Sequence, residues 1–126
     1  MDILILLSLA ALAFGATLSP QIIVDTGIVR SLASAASGGD EFVNSGRMFI
    51  AVVNAHGSDP RTITVNSQAA CNQGSDHDIA VVITAAQDEK VFGPFPKDRF
   101  NDSDGKVQIT YSDSAADLTI AIFELP

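Results

Sequence analysis

"MFIAVVNAHGSDPRTITVNS", residues 48–67, sets two short apolar-rich runs on either side of a polar turn. Residues 48–54 are apolar at nearly every position, the pattern of a central strand covered on both faces. Residues 61–67 alternate instead: Ile63 and Val65 face one way, Thr62, Thr64 and Asn66 the other, as in a half-buried strand. Between them "AHGSDP" supplies the Gly, Asp and Pro that turn a chain. These two strands are expected to form a hairpin.

Working outward, the same signals recur. Residues 79–85 are another β-rich run, and "AAQDEK" turns into Val91 and Phe92. Further on, Val107, Ile109 and Tyr111 alternate with Lys106, Gln108 and Thr110, and "DSAAD" leads into Leu118, Ile120 and Ile122. This last pair is read as a C-terminal hairpin that lays the chain end on the sheet. Short β-branched runs spaced roughly 8 to 15 residues apart indicate an all-β sandwich or barrel.

The stretch "FGPFPKDRFNDSDG", residues 92–105, interrupts this regularity. Pro94 and Pro96 lack N–H groups and push the preceding residues to extended geometry, so "GPFP" is read as an edge or a crossing between sheets. Phe92, Phe95 and Phe100 on that irregular segment are expected to cap the open end of the core. "NDSDG" supplies Asx-type turn hydrogen bonds, with Gly105 tolerating positive φ before the next strand.

Upstream, Pro20 breaks any preceding helix, residues 21–28 read as extended, and "SLASAASGG", residues 31–39, is small and flexible. The expected organisation is an apolar arm or signal-like segment over 1–17, an extended arm and flexible linker over 18–46, and a β-sandwich domain over 47–126. A chain of 126 residues suits one domain with a core of its own, needing no metal or disulfide staple. Its single cysteine, Cys71, has no intrachain partner.

The leading stretch "ILILLSLAALAFGA", residues 3–16, is apolar but for one serine. It is shorter than the roughly 18 to 20 residues a membrane-crossing helix needs. Its length and Ala11-Leu12-Ala13 suit a signal peptide, whereas Met1-Asp2 is acidic where such a peptide carries Lys or Arg. Three readings stay open: a retained packing arm, a cleaved signal and a membrane anchor. Helical and extended conformations are both open for it, since Leu and Ala favour helix while a partner groove imposes a strand.

Seven basic against fifteen acidic residues give a net charge of −8, which repels a phosphate backbone and argues against direct nucleic-acid binding. The acidic pairs Asp40-Glu41, Asp76/Asp78, Asp88-Glu89 and Asp102/Asp104 are read as solvated turns. Asn101, Asp102 and Asp104 suggest calcium, but the further oxygen ligands and distal Glu of a calcium loop do not follow. His56, Cys71 and His77 match no zinc spacing. No nucleophile elbow, nucleophile–base pair or Gly-rich phosphate loop is evident, so an enzyme, a cofactor and a metal are not expected. With no Trp and one Tyr, anchors for stacking on sugars or bases are few.

The run "SGRMFIAVVNAHGSDPRTITVNSQ", and after a loop "IAVVITAAQDEKVFGPFPKDRFNDSDGKVQITYSDSAADLTIAIFEL", resembles a family of small tailed-phage virion proteins: head decoration, cement or minor structural proteins. The matches are Asn44, Gly46, Arg47, Phe49, Val52 and Asn54, then residues 93–96, 100–102, Asp104, Gly105 and 110–112. They lie within residues 18–125; the leading apolar segment departs from the family pattern. The resemblance implies a small antiparallel β-sandwich, jelly-roll-like or Ig-like, on the capsid outer surface, bridging major capsid protein subunits and grouped with other copies of itself, commonly as a trimer. It implies no membrane partner in the mature form. The adhesive residues it implies are Ile3, Leu4, Leu6, Leu7, Leu9, Leu12 and Phe14 of the arm, inserted between neighbouring subunits, with Phe92, Phe95 and Phe100. A head-tail neck or tail accessory protein, and an exported bacterial β-sandwich binding module with a cleaved signal, are the competing expectations.

Overall fold

A computed structural model describes residues 16–69, 77–112 and 115–126. Ten strands and one helical turn make up these residues: β1 (Ala16–Thr17), β2 (Pro20–Ile22), β3 (Ala33–Ser34), β4 (Asp40–Val43), β5 (Met48–Asn54), β6 (Arg61–Val65), β7 (Ile79–Ile83), β8 (Asp88–Phe92), α1 (Lys97–Phe100), β9 (Lys106–Tyr111) and β10 (Leu118–Glu124). They form an all-β sandwich of two mainly antiparallel sheets. Sheet I has the order β1-β4-β9-β6-β7; sheet II has the order β2-β10-β5-β8, with β3 also pairing with β10. The alternating residues Phe42, Ile63, Val65, Val107 and Ile109 of sheet I face Ile50, Val52, Ile120 and Ile122 of sheet II in one core. Each such side chain contributes about 1.5–3 kcal/mol by leaving water.

The strands exist where the alternation places them, but two expected hairpins do not form. β5 lies in the middle of sheet II between β10 and β8, while β6 lies in sheet I between β9 and β7. "AHGSDP" is therefore an arch between sheets. The Asn54 side chain holds it: its Nδ2 donates to the carbonyls of Asp59 (3.0 Å) and Ile83 (3.1 Å), and its Oδ1 accepts from the His56 N–H (3.0 Å). Six residues easily span the roughly 10 Å between packed sheets. Likewise β9 belongs to sheet I and β10 to sheet II, so the last two strands arch over the core instead of pairing. Among the described residues the one consecutive antiparallel pair is β6–β7, in register from Arg61↔Ile83 to Val65↔Ile79.

Residues 18–46 are also more than an arm and linker. β4 pairs with β9, and its Phe42 is fully buried in the core. β2 runs parallel to the second half of β10 (Ile122↔Pro20 to Glu124↔Ile22), while β3 runs antiparallel to the first half (Thr119↔Ser34, Ile120↔Ala33). The sandwich thus draws on the chain from Ala16 onward. Asp40-Glu41 and Asp88-Glu89, read as turns, lie in β4 and β8.

Candidate functional site

Three of the segments that carry the resemblance, around Asn44, Phe95 and Asn101, meet at one end of the sandwich. Asn44 Nδ2 donates to the Phe95 carbonyl (2.8 Å) and to Asn101 Oδ1 (2.7 Å), and Asn44 Oδ1 accepts from the Gly46 N–H (2.9 Å). The backbone of Asn44 also donates to the Gly105 carbonyl (3.1 Å). One buried asparagine thereby ties the "NSGR" turn to "GPFP" and to "FNDSDG". Gly93 leaves β8 at φ +139°, where an added Cβ would lie 2.7 Å from the Met48 carbonyl oxygen, so only glycine fits.

The three phenylalanines follow that geometry. Phe95 stacks edge-on against Phe92 (6.3 Å between centroids) and Phe100 (5.5 Å), and tilts against Phe42 (6.1 Å). Such aromatic pairs add about 0.5–1.5 kcal/mol beyond their burial. Phe95 and Phe100 are fully buried within the chain and have no surface left for a partner. Assigning them to an intermolecular interface is therefore corrected: they close the core's own end, and Phe92 is half-buried against it. Ile3, Leu4, Leu6, Leu7, Leu9, Leu12 and Phe14 lie outside the described residues.

Two carboxylates near this end are engaged by their own chain. Asp102 Oδ1 accepts from the N–H groups of Asp104 (2.9 Å) and Lys106 (3.0 Å), and its Oδ2 accepts from Gln108 (2.8 Å). These bonds, that of the Lys106 N–H foremost, hold the Asp102 carboxyl below its ordinary value. Beside it on the outer face of sheet I, Glu41 accepts from Gln108 (3.0 Å), Lys106 (2.9 Å) and Thr17 (2.9 Å), and its carboxyl is lowered in turn, Gln108 contributing most. At the opposite end of the core the Tyr111 hydroxyl donates to the buried Asp40 (2.6 Å). Burial first, then that bond, push the Tyr111 phenol far above its usual range, so it keeps its proton. His56 Nδ1 accepts from the N–H groups of Ser58 (3.1 Å) and Asp59 (2.9 Å) and so shapes the arch turn. Cys71 lies outside the described residues. Among the described residues no three His, Cys, Asp or Glu side chains converge as a metal site would require, and no helix is long and apolar enough to cross a membrane.

Apolar surface appears instead on the outer face of sheet II. Ala51, Ala121 and Phe123 point outward from β5 and β10 and are buried there by Ile23, Leu32 and Phe49. Residues 23–32 form a strap over this face. Gln21 closes it, donating from Nε2 to the Ser31 carbonyl (2.8 Å) and accepting from the Ser31 N–H (2.9 Å). Arg30 ties it to the far edge strand through a two-pronged pair with Glu89 (3.1 and 3.2 Å). Between strap and sheet an open groove of about 370 Å³ is lined by Ile23, Ile28, Arg30, Val91 and Phe123. Beside it Val91 (60% exposed), Ile28 and Val29 (95%) leave apolar surface in solvent, and Ile22 and Val24 are further exposed apolar residues of the same segment. A sequence signal existed for them: "QIIVDTGIV" places five β-branched apolar residues around a turn glycine, too many for a solvated linker. Compared with known protein families, characterised proteins and solved structures, the chain matches none.

Proposed function

We propose that this is a structural virion protein that binds the outer surface of a tailed-phage capsid and bridges and stabilises major capsid protein subunits. The observation that carries the reading is the apolar surface beside the strap groove: Ile28, Val29 and Val91 present hydrophobic area on a chain whose net charge of −8 otherwise favours full solvation. Two further observations support it. The "NSGR", "GPFP" and "FNDSDG" segments of the decoration-protein resemblance join through Asn44 into one packed end, and the carboxylates Glu41 and Asp102 are engaged in internal hydrogen bonds. A rigid sandwich with an adhesive rim works by adding interface between subunits, so that internal pressure must break many weak contacts together. Its partners in this role are the major capsid protein and other copies of itself, without nucleic acid, cofactor or turnover.

Co-sedimentation with undecorated capsids tests the reading, using the full chain, a chain lacking residues 1–15, and Val29→Asp/Val91→Asp. Saturable binding of the full chain, weakened at least about tenfold by the double substitution, is expected from the loss of two buried valines. Absence of saturable binding by the full chain overturns the reading and favours a neck protein or an exported binding module. For the latter, mass spectrometry of the mature chain shows cleavage after Ala13.

A further inference from the structure

The two sheets end differently on their common side. At the edge of sheet II, β8 reads Asp88-Glu89-Lys90-Val91-Phe92 and carries the charges by which edge strands resist pairing. At the edge of sheet I, β7 reads Ile79-Ala80-Val81-Val82-Ile83, with no charge and no proline, and pairs only with β6 among the described residues. The pairing register shows which groups point outward, unpaired among the described residues. On β6, Thr62 and Asn66 bond toward β9, through the Ser112 N–H to Thr62 O and the Asn66 N–H to Gln108 O. The odd residues Arg61, Ile63 and Val65 therefore bond toward β7, to Ile83, Val81 and Ile79. The N–H and C=O groups of Ala80 and Val82 consequently point away from the sheet.

We propose that this edge binds β7 of a second copy of the chain in antiparallel fashion, joining two copies of sheet I across a two-fold axis. The strand is self-complementary about Val81. With Val81 on the axis, Ala80 of each copy faces Val82 of the other, and the four outward groups of each strand complete four backbone hydrogen bonds. Charge favours this edge over that of β8, since two chains of net charge −8 meet better where neither strand carries a carboxylate, and in this register Asp78 of one copy lies opposite Thr84 of the other. β1 and β2 are also uncharged but span only two and three residues. Burial selects it too. Ile79 and Val81 lie on the core side of β7 yet remain half-buried because the core ends beside them, and Val82 is 47% exposed. The second copy's Ile83 and Val81 would complete that layer. A two-fold contact then replaces the three-fold grouping that the virion resemblance implies, and it stands or falls independently of capsid binding.

Sedimentation velocity of the full chain over a concentration series tests this directly. A dimer of about twice the 13.2 kDa chain mass is expected. Val82→Pro removes only an outward N–H, leaving the β6–β7 ladder whole, and is expected to raise the dimer dissociation constant at least about 30-fold. Ala80→Lys/Val82→Lys sets like charges opposite one another and is expected to dissociate the dimer. Mixing it with Ala80→Glu/Val82→Glu restores a heterodimer. Should the proline variant fail to fold, the charged pair decides. A full chain that stays monomeric, or an assembly whose mass neither variant changes, overturns the proposal.

Discussion

On the outer face of sheet I, Glu41 gathers Thr17, Lys106 and Gln108 into a network that water can reach, whereas on the outer face of sheet II, Ala51 and Ala121 lie buried beneath a strap of the same chain. Both faces begin as pleated strands of similar length, and what differs is the covering. The polar face is complete when its side chains satisfy one another. The apolar face needs a layer over it, and the strap supplies that layer only in part, leaving Val29 and Val91 in solvent. Around Glu41 the face is finished by its own hydrogen bonds, with Val43 and Val82 left exposed beyond that network, while the face finished by an incomplete lid leaves hydrophobic area along the strap itself.

The contrast is broken most forcefully by putting the same charge on each face. Ala51→Glu buries a carboxylate under the strap and is expected to cost at least about 3 kcal/mol in urea unfolding, because an unpaired buried charge loses its hydration. A loss below about 1 kcal/mol would mean that the strap lifts freely. Next in size, Gln21→Ala removes both bonds that close the strap; a loss of about 1 kcal/mol is expected, with faster amide exchange confined to residues 23–32. Uniform exchange across both sheets would show that the strap is no separate unit.

The polar face is sharpened by acid. The Glu41 carboxyl titrates below its ordinary value of 4.5 in the folded chain, so its contribution is fully present above that value and is lost as pH falls through the lower folded value. Asp102 adds in the same direction from its ordinary 3.8. A melting temperature that declines below about pH 4.5 is expected, with a shallower decline in Glu41→Gln. An unchanged slope in that variant would remove Glu41 from the account. The smallest effect belongs to Thr110→Glu on the exposed outer face of sheet I, expected to stay below about 1 kcal/mol.

Alternation made the strands legible, because a period of two reports which side chains are buried. It does not report which sheet a strand joins. "AHGSDP" suits a hairpin and an arch alike, and the deciding interaction, Asn54 reaching the carbonyl of Ile83, spans 29 positions. A usable signal was present in the opening stretch: residues 48–54 are covered on both faces and residues 61–65 on one, and neighbouring strands of a sheet usually share their covering. Phe95 and Phe100 were legible as an end cap, which is incompatible with their also being adhesive. The strap over residues 23–32 was missed because residues 18–46 look like an arm and linker by composition, while its course depends on the long-range pairing of β2 and β3 with β10 on either side of it. Asp40 and Glu41 looked like a turn because charge resembles solvation, yet Asp40 is only 3% exposed.

The parallel pairing of β1 with β4 and of β2 with β10 has a mechanical meaning. A pull on the chain ahead of Ala16, directed along the strands, loads these short ladders lengthwise, so that their bonds share the force and yield together. Had the same residues entered as the outer arm of a hairpin, the bonds would have peeled away singly. The entry to the sandwich therefore resists shear like a lap joint, and a tether attached there would load sheet I first through β4 and then sheet II through β10.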